Sequence, residues 1–204
     1  YPVLLSGLKD GVWTRYGYPY TNASFAKTLY YPNGVTIDPD NPDLVYYGSF
    51  MSGIQRMNLA DPTDMRLFSH PKDPSSSLPQ YSQLVGDSPY WDDLCNFIAP
   101  VFDAKGYMWT AYNNGSNGQG FIFYVWPPEG RKAGDASKFV SFTVPNLLIN
   151  KDAIVLPLSG SGQQNIVVAS TGIFDNVIIV LDHAGTPEDH SDDKVVTIPQ
   201  LVDQ

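Results

Sequence analysis

Short strand-like segments recur along this chain in three groups of four, and this recurrence limits the fold more than any other feature of the sequence. In the first group, residues 34–71, apolar runs alternate with turns rich in Pro, Asp, Asn and Gly. The predicted strands are Gly34–Asp38, Leu44–Phe50, Ile54–Leu59 and Met65–His70; Phe97–Phe102, Tyr107–Tyr112, Phe121–Trp126 and Lys138–Val144; and Ala153–Leu158, Asn165–Ser170, Val177–Leu181 and Lys194–Ile198. The second strands begin 63 and then 58 residues apart. No convincing amphipathic helix interrupts them, which disfavours alternating strands and helices.

Four short strands joined by short turns are typical of one blade of a β-propeller. We therefore predict an all-β chain: a partial β-propeller in a single segment, with three four-stranded antiparallel blades at residues 33–71, 96–145 and 152–201. In residues 11–19, the run Gly11–Tyr16 is predicted to be an orphan strand, the outer strand of a preceding blade without its partners. A non-repeating β-sandwich is the alternative, and the ordered recurrence favours the propeller.

Composition excludes several classes of function. The formal net charge is −9 and no basic patch is visible, so we expect neither nucleic acid nor an anionic membrane surface as a partner. The longest apolar runs are far too short to span a bilayer. A single cysteine, Cys95, excludes a disulfide within the chain, and we expect it to be a small buried residue. The chain begins at Tyr1, so we expect its natural start to lie outside this sequence.

Residues Leu44 to Asn58 resemble the two-component-regulator propeller repeat. That repeat has an apolar strand, a Gly-Thr/Ser pair, a Gly-apolar step, and then a basic residue followed by Asn or Asp. The matching positions here are Gly48, Ser49, Gly53, Ile54, Arg56 and Asn58. The second group keeps a Trp109-Thr110 strand and Gly120-Phe121, and the third keeps Ser170-Thr171-Gly172 less cleanly.

The turn at residues 36–43 and the acidic segment at residues 182–193 are similar to repeats in propellers associated with the Por, or type IX, secretion system. The resemblance covers most of residues 11–201. It implies an exported bacterial protein, periplasmic or at the cell surface, whose propeller binds ligands or partners as a sensor domain or a secretion accessory. It implies no catalytic residues.

The residues that could carry chemistry are few. Of the three histidines, His70 follows a predicted strand, and His183 and His190 lie in the acidic segment, where we expect solvated loop residues rather than a catalytic site. Oxygen ligands in that segment, such as Asp189 and Asp192, have the chemistry to hold Ca²⁺, but a solvated polar turn is favoured because the EF-hand order is missing. We therefore expect weak Ca²⁺ binding at most. No cofactor and no metal site are predicted.

The long connections offer the best candidate binding surface. In a four-stranded meander, the loops between strands two and three lie at the same end as the connections to the next blade. The predicted ligand-binding residues on this face are Tyr20, Asn22, Tyr90, Trp91, Asp92 and Asn114. Exposed aromatic rings beside amides and carboxylates suit glycan, peptide or protein ligands. Local packing of a long loop over the blade edge is the alternative.

Two functions remain open at this stage. The favoured one is ligand or partner binding without catalysis. The alternative is a propeller enzyme, such as a lactonase-like hydrolase or a polysaccharide lyase, with most catalytic residues outside this segment. A partial propeller also has two open flanks, where apolar residues such as Val35, Ile37, Ile154 and Val155 would meet water. We therefore expect missing blades, or self-association through these flanks.

Overall fold

A computed structural model describes residues 5–9, 11–16, 32–49, 53–61, 64–68, 75–78, 97–112, 121–144, 150–158, 166–172 and 177–199. The strands are β1 (Leu5–Lys9), β2 (Val12–Tyr16), β3 (Pro32–Ile37), β4 (Leu44–Ser49), β5 (Gly53–Asn58), β6 (Met65–Leu67), β7 (Val101–Phe102), β8 (Met108–Tyr112), β9 (Phe121–Trp126), β10 (Val140–Val144), β11 (Asn150–Leu158), β12 (Ile166–Gly172), β13 (Val177–Asp182) and β14 (Lys194–Pro199). The prediction of an all-β chain is confirmed in these residues.

The strands form three four-stranded antiparallel sheets and one hairpin. The first sheet contains β3 to β6, the second β7 to β10 and the third β11 to β14, each with its strands in sequence order. All twelve strands predicted for the three groups are present, although two are clearly shorter than predicted. Strand β6 ends three residues early, and β7 covers only Val101–Phe102 of the predicted Phe97–Phe102, with Phe97 in an isolated bridge to Tyr112. Among the described residues these sheets are open, and none closes on itself.

One prediction about the start of the chain is wrong. The segment Gly11–Tyr16 was expected to lack partner strands, but β2 pairs along its whole length with β1, from Lys9 opposite Val12 to Leu5 opposite Tyr16. The cause is the connection at Gly11, whose φ of 78° is readily adopted only by glycine and lets the chain reverse at once.

Aspartate side chains shape the turns that join the first and second strands of two sheets. In the first sheet, Asp38 Oδ1 accepts hydrogen bonds from the backbone N–H groups of Asp40 at 2.8 Å and Asn41 at 3.1 Å. In the second sheet, Asp103 Oδ1 accepts from the N–H of Lys105 at 2.9 Å. A short side chain that replaces a backbone acceptor in this way is the reason why Asp is favoured in such turns.

A short helix lies in the connection between β9 and β10, where the sequence predicted no helix. Helix α1 spans Pro128–Ala133, and a 3-10 turn follows at Ala136–Lys138. Proline is favoured in a first helical turn because its missing N–H has no partner there in any case. Gly134 ends the helix with φ 65°, and its N–H donates to the carbonyls of Arg131 and Gly130.

The first and second sheets pack through an aromatic layer, here called the first seam. Trp126 lies at its centre, with ring centroids 4.8 Å from Phe68, 6.2 Å from Tyr46 and 4.4 Å from Phe139. Its indole N–H donates to the carbonyl of Asp135 at 2.9 Å, so the buried ring has a partner for its polar atom. The seam therefore combines apolar burial with a satisfied polar group.

The second and third sheets pack through the second seam, which is more aliphatic. Its fully buried members from the third sheet are Ile179 and Leu181, both 0% exposed. The buried residues that they join from the second sheet are Ile98, Trp109, Ala111, Phe123, Val125 and Val144. The second sheet is thus buried on both of its faces.

Candidate functional site

The connections of each sheet alternate between two ends, because neighbouring strands run antiparallel. We call the end with the connections β3–β4, β5–β6, β7–β8, β9–β10 and β13–β14 the turn edge. The opposite end, with the connections β4–β5 and β8–β9, is the loop edge. The candidate ligand-binding residues Tyr20, Asn22, Tyr90, Trp91, Asp92 and Asn114 were predicted for the loop edge, and all six lie outside the described residues.

Closely packed strand ends lie beneath the loop edge in the described part of the chain. Phe97 pairs with Tyr112 through a β-bridge, and their rings lie 5.3 Å apart. Thr110 Oγ1 donates to the carbonyl of Ile98 at 2.9 Å. A Cβ added to Gly48 would lie 2.2 Å from that same carbonyl oxygen, so only glycine allows the first sheet to approach this closely.

On the turn edge, a buried ion-pair cluster connects helix α1 to the first sheet. Arg131 donates to the Asp38 carboxylate, and the two side chains are 1% and 2% exposed. The second guanidinium nitrogen contacts Asp40 at 2.5 Å, where Lys132 also approaches to 3.1 Å. Hydrogen bonds from Arg131 and then Lys132 lower the pKa of Asp40. We call this group the Arg131 clasp.

The Arg131 clasp also affects an aromatic neighbour. Burial, followed by the nearby Asp38 charge, raises the pKa of Tyr46 to about 12. The guanidinium carbon of Arg131 lies 5.1 Å from the ring centroid of Phe102, within reach of a cation–π interaction. Because both terminal nitrogens of Arg131 already bind carboxylates, this cluster is suited to holding two sheets together.

The second sheet has an aspartate at the equivalent turn. Asp103 Oδ2 accepts a hydrogen bond from the indole N–H of Trp109 at 3.0 Å, while Oδ1 accepts from the N–H of Tyr107 at 3.0 Å. The Tyr107 hydroxyl donates to Glu188 of the third sheet at 3.1 Å. Burial and then this hydrogen bond raise the pKa of Tyr107 to about 12. Each seam therefore has polar contacts at the turn edge.

The histidines of the acidic turn are not solvated, contrary to the prediction. His183 is 2% exposed and its ring lies 5.3 Å from that of Trp109. Burial lowers the pKa of His183, because the charged imidazolium loses its hydration. His190 is half-buried, its Nδ1 lies 2.6 Å from Asp193 Oδ2, and its ring packs against Phe142. Trp109 and Phe142 of the second sheet pack against the two histidine rings, and the acidic sequence around the histidines gives no indication of these contacts.

The carboxylates of this turn form local hydrogen bonds. Asp182 accepts from the N–H of Ala184 and Asp189 from the N–H of Ser191, both at 3.0 Å. Asp192 accepts from the hydroxyl of Thr186 at 3.2 Å. Within the described ranges, no three His, Cys, Asp or Glu side chains are grouped so that they could hold a metal ion. Weak Ca²⁺ binding stays a prediction.

Sequence reasoning missed Arg131 and Trp109 as contact residues between the sheets. A partial signal was present, because Asp38 ends the first predicted strand of its group, Asp103 directly follows the first predicted strand of the next, and both lie at the start of a turn. The signal is incomplete, because Asp38 receives a donor from the second sheet whereas the donors to the Asp103 side chain come from its own sheet.

Comparisons with known proteins support the fold. No protein-family model matches the chain, and neither does any curated protein. Among solved structures, the chain is similar to PorZ, an essential bacterial surface component of the type IX secretion system of Porphyromonas gingivalis. The TM-score is 0.60 at 18% identity, over 98% of this chain.

The chain spans a quarter of the length of the PorZ chain. At this identity, the likeness concerns the fold and agrees with the all-β sheets described above. The predicted similarity to type IX secretion proteins thus has a structural counterpart, while the two-component-regulator type stays a prediction. No helix in the described part of the chain is long and apolar enough to cross a membrane.

Proposed function

We propose that this chain is part of a β-propeller in an exported, secretion-associated surface protein, and that it binds a ligand or partner rather than catalysing a reaction. The observation that carries the proposal is the structural likeness to PorZ over 98% of the chain. The three successive four-stranded sheets, each packed on the next, support a propeller arrangement.

The proposed binding surface is the loop edge, with Tyr20, Asn22, Tyr90, Trp91, Asp92 and Asn114. The turn edge is occupied by the Arg131 clasp and by the buried histidine turn, which connect neighbouring sheets. Beneath the loop edge, Gly48 of the first sheet packs closely against Ile98. Variable loops on a rigid scaffold are where binding residues concentrate. The ligand class is a glycan, a peptide or a protein.

A glycan and peptide array probed with the 204-residue chain tests the binding site. We expect the double variant Tyr90→Ala, Trp91→Ala to lose most of the array signal, because aromatic rings supply much of the contact energy at such surfaces. Trp13→Ala is the matched control, since Trp13 is 69% exposed but lies on the β1–β2 hairpin. Unchanged binding in the double variant, or an equal loss in the control, would place the site elsewhere.

Location is tested separately in the source bacterium. We expect the protein to be found outside the cytoplasm and to be cleaved when protease is added to intact cells. A protein found only in the cytoplasmic fraction would contradict the secretion-associated role, whatever the array shows.

A further inference from the structure

Strand β14 is the last strand of the third sheet, and its side away from β13 has no partner strand among the described residues. Residues Lys194–Pro199 all pair with β13 in one continuous register. Val196, Thr197 and Ile198 are exposed in succession, so both faces of the strand are accessible to solvent here. A strand with a free side presents a row of unpaired N–H and C=O groups on which another chain can pair. We call this side the open side of β14.

Pro199 determines which backbone groups lie on the open side. It is paired with Val177 and has no N–H, so these two residues cannot exchange a pair of hydrogen bonds. Because hydrogen-bonded and non-hydrogen-bonded pairs alternate along an antiparallel ladder, the even-numbered residues of β14 bond to β13. Val195 and Thr197 therefore direct their N–H and C=O groups to the open side.

The other edge strands of the three sheets are less suited to pairing with a further strand. Strands β6 and β7 contain only three and two residues. The registers of β3 and β11 with their neighbours are each interrupted by a shift. Strand β10 is regular, but its exposed side chains are the polar Ser141 and Thr143. In β14, by contrast, regular pairing is combined with Val196 and Ile198, which are 56% and 47% exposed.

The end of β14 at the turn edge is negatively charged. The acidic segment at residues 182–193 leads directly into the strand and contains five carboxylates and no Lys or Arg. Three of these carboxylates, on Glu188, Asp189 and Asp192, are exposed. A cation that is placed beside this segment is attracted to it, and salt weakens the attraction because the groups are solvated.

We propose that the open side of β14 is a docking site for an extended segment of a partner protein, which adds to the four-stranded third sheet as a further antiparallel strand. Val195 and Thr197 bind the backbone of the segment. Its β-branched side chains lie beside Val196 and Ile198, as in other cross-strand pairs. This site is separate from the loop edge and does not depend on the proposed binding function.

The direction of the added strand determines where its charges lie. All neighbouring strands of the third sheet are antiparallel, and antiparallel pairing is slightly the more stable kind. Because β14 starts at the acidic segment, an antiparallel partner ends there. The partner segment is therefore one with β-branched residues followed by Lys or Arg at its C-terminal end.

A second copy of the chain is a poorer occupant than such a segment. In an antiparallel pair of two β14 strands, each acidic segment faces the residues that follow Pro199 in the other copy. Residues 200–204 contain Asp203 and no Lys or Arg. Each copy also carries a net charge of −9, which opposes their association. Charge complementarity thus favours a basic partner segment.

The test measures binding of a labelled, end-blocked peptide, Thr-Val-Thr-Val-Thr-Val-Arg-Lys, to the 204-residue chain by fluorescence anisotropy. We expect Val196→Lys with Ile198→Lys to weaken binding by roughly tenfold or more, because the lysines remove apolar contact and repel the peptide. Ser141→Lys with Thr143→Lys on β10 is the matched control, since it adds the same charge to another edge strand and should leave binding nearly unchanged. A peptide with Arg-Lys moved to its N-terminal end should bind more weakly than the original.

Hydrogen exchange measured by NMR distinguishes strand addition from other modes of binding. We expect the peptide to slow exchange at the amides of Val195 and Thr197, which lie on the open side. The amides of Val196 and Ile198 should exchange slowly with or without the peptide, because they bond to β13. This measurement uses the unmodified chain, so it decides the question even if the lysine pair prevents folding.

Four results would overturn the proposal. The first is a peptide that does not bind at millimolar concentration, or that binds the lysine pair as tightly as the wild type. The second is a complex in which the amides of Val195 and Thr197 exchange as fast as in the free chain. The third is a stable dimer that protects these two amides without peptide, because a second copy then occupies the site. The fourth is slow exchange of the same amides in a longer form of the polypeptide, because its own chain then covers the open side.

Discussion

Replacement of Arg131 by methionine tests whether the Arg131 clasp stabilises the fold. The change keeps an unbranched side chain near Phe102 but leaves the 2% exposed Asp38 carboxylate without its cationic partner. Removing one partner of a buried ion pair costs about 3–5 kcal/mol, because the remaining charge stays desolvated. The backbone N–H groups of Asp40 and Asn41, which still donate to Asp38, favour the lower part of this range.

The assay is urea unfolding of the 204-residue chain followed by circular dichroism, with the midpoint converted into a free energy of unfolding. For a chain of this size, 3 kcal/mol corresponds to a fall in Tm of roughly 6–12 °C. Lys132→Met is the matched control. Lys132 is 57% exposed and contacts Asp40 at 3.1 Å, so its removal should cost less than about 1 kcal/mol.

A double variant separates the charge effect from lost packing. In Asp38→Asn, Arg131→Met no buried charge remains, so we expect much of the lost stability to return. The reasoning is refuted if Arg131→Met costs no more than Lys132→Met. It is also refuted if the two substitutions are additive, so that the loss of unfolding free energy in the double variant equals the sum of the losses in Arg131→Met and Asp38→Asn alone.

Two further predictions follow from other contacts in the described residues. Because burial lowers the pKa of His183 below its ordinary 6.5, the folded chain binds fewer protons there than the unfolded chain. The stability that depends on neutral His183 should be present above about pH 6.5 and be lost as the pH falls through the lowered pKa. We expect His183→Phe to flatten this part of the plot of unfolding free energy against pH. A variant with the same pH dependence as the wild type would contradict the prediction. Gly48→Ala should lower the free energy of unfolding by about 1–3 kcal/mol, since the new Cβ would lie 2.2 Å from the carbonyl oxygen of Ile98. A thermal melt identical to that of the wild type would show that the backbone at Gly48 can move away from Ile98 without loss of stability.

The strands were predictable because their signal is local. In the runs Val177–Leu181 and Phe121–Trp126, β-branched and aromatic residues form a short continuous apolar stretch bounded by turn residues, which is the local pattern of a buried strand. The hairpin was missed because residues 5–9 contain few strand formers, and their pairing is imposed by the turn at Gly11.

The contacts between sheets could not be read in the same way. Arg131 lies in a polar stretch, and its partner Asp38 is 93 positions away, so no local pattern links them. His183 was expected to be solvated because its neighbours are acidic, but its environment is set by Trp109 in another sheet. The residues of the loop edge, Tyr90 and Trp91 among them, remain predictions from composition.

The sequence separation within the two seams has a consequence for synthesis. Asp38 and Arg131 are 93 positions apart, and Tyr107 and Glu188 are 81 positions apart. At a translation rate of about 5–20 residues per second, Asp38 waits roughly 5–20 seconds on the ribosome before Arg131 has been made. During that interval the aromatic face of the first sheet has no cover. The first sheet therefore cannot complete the first seam until the residues of the second sheet have been made.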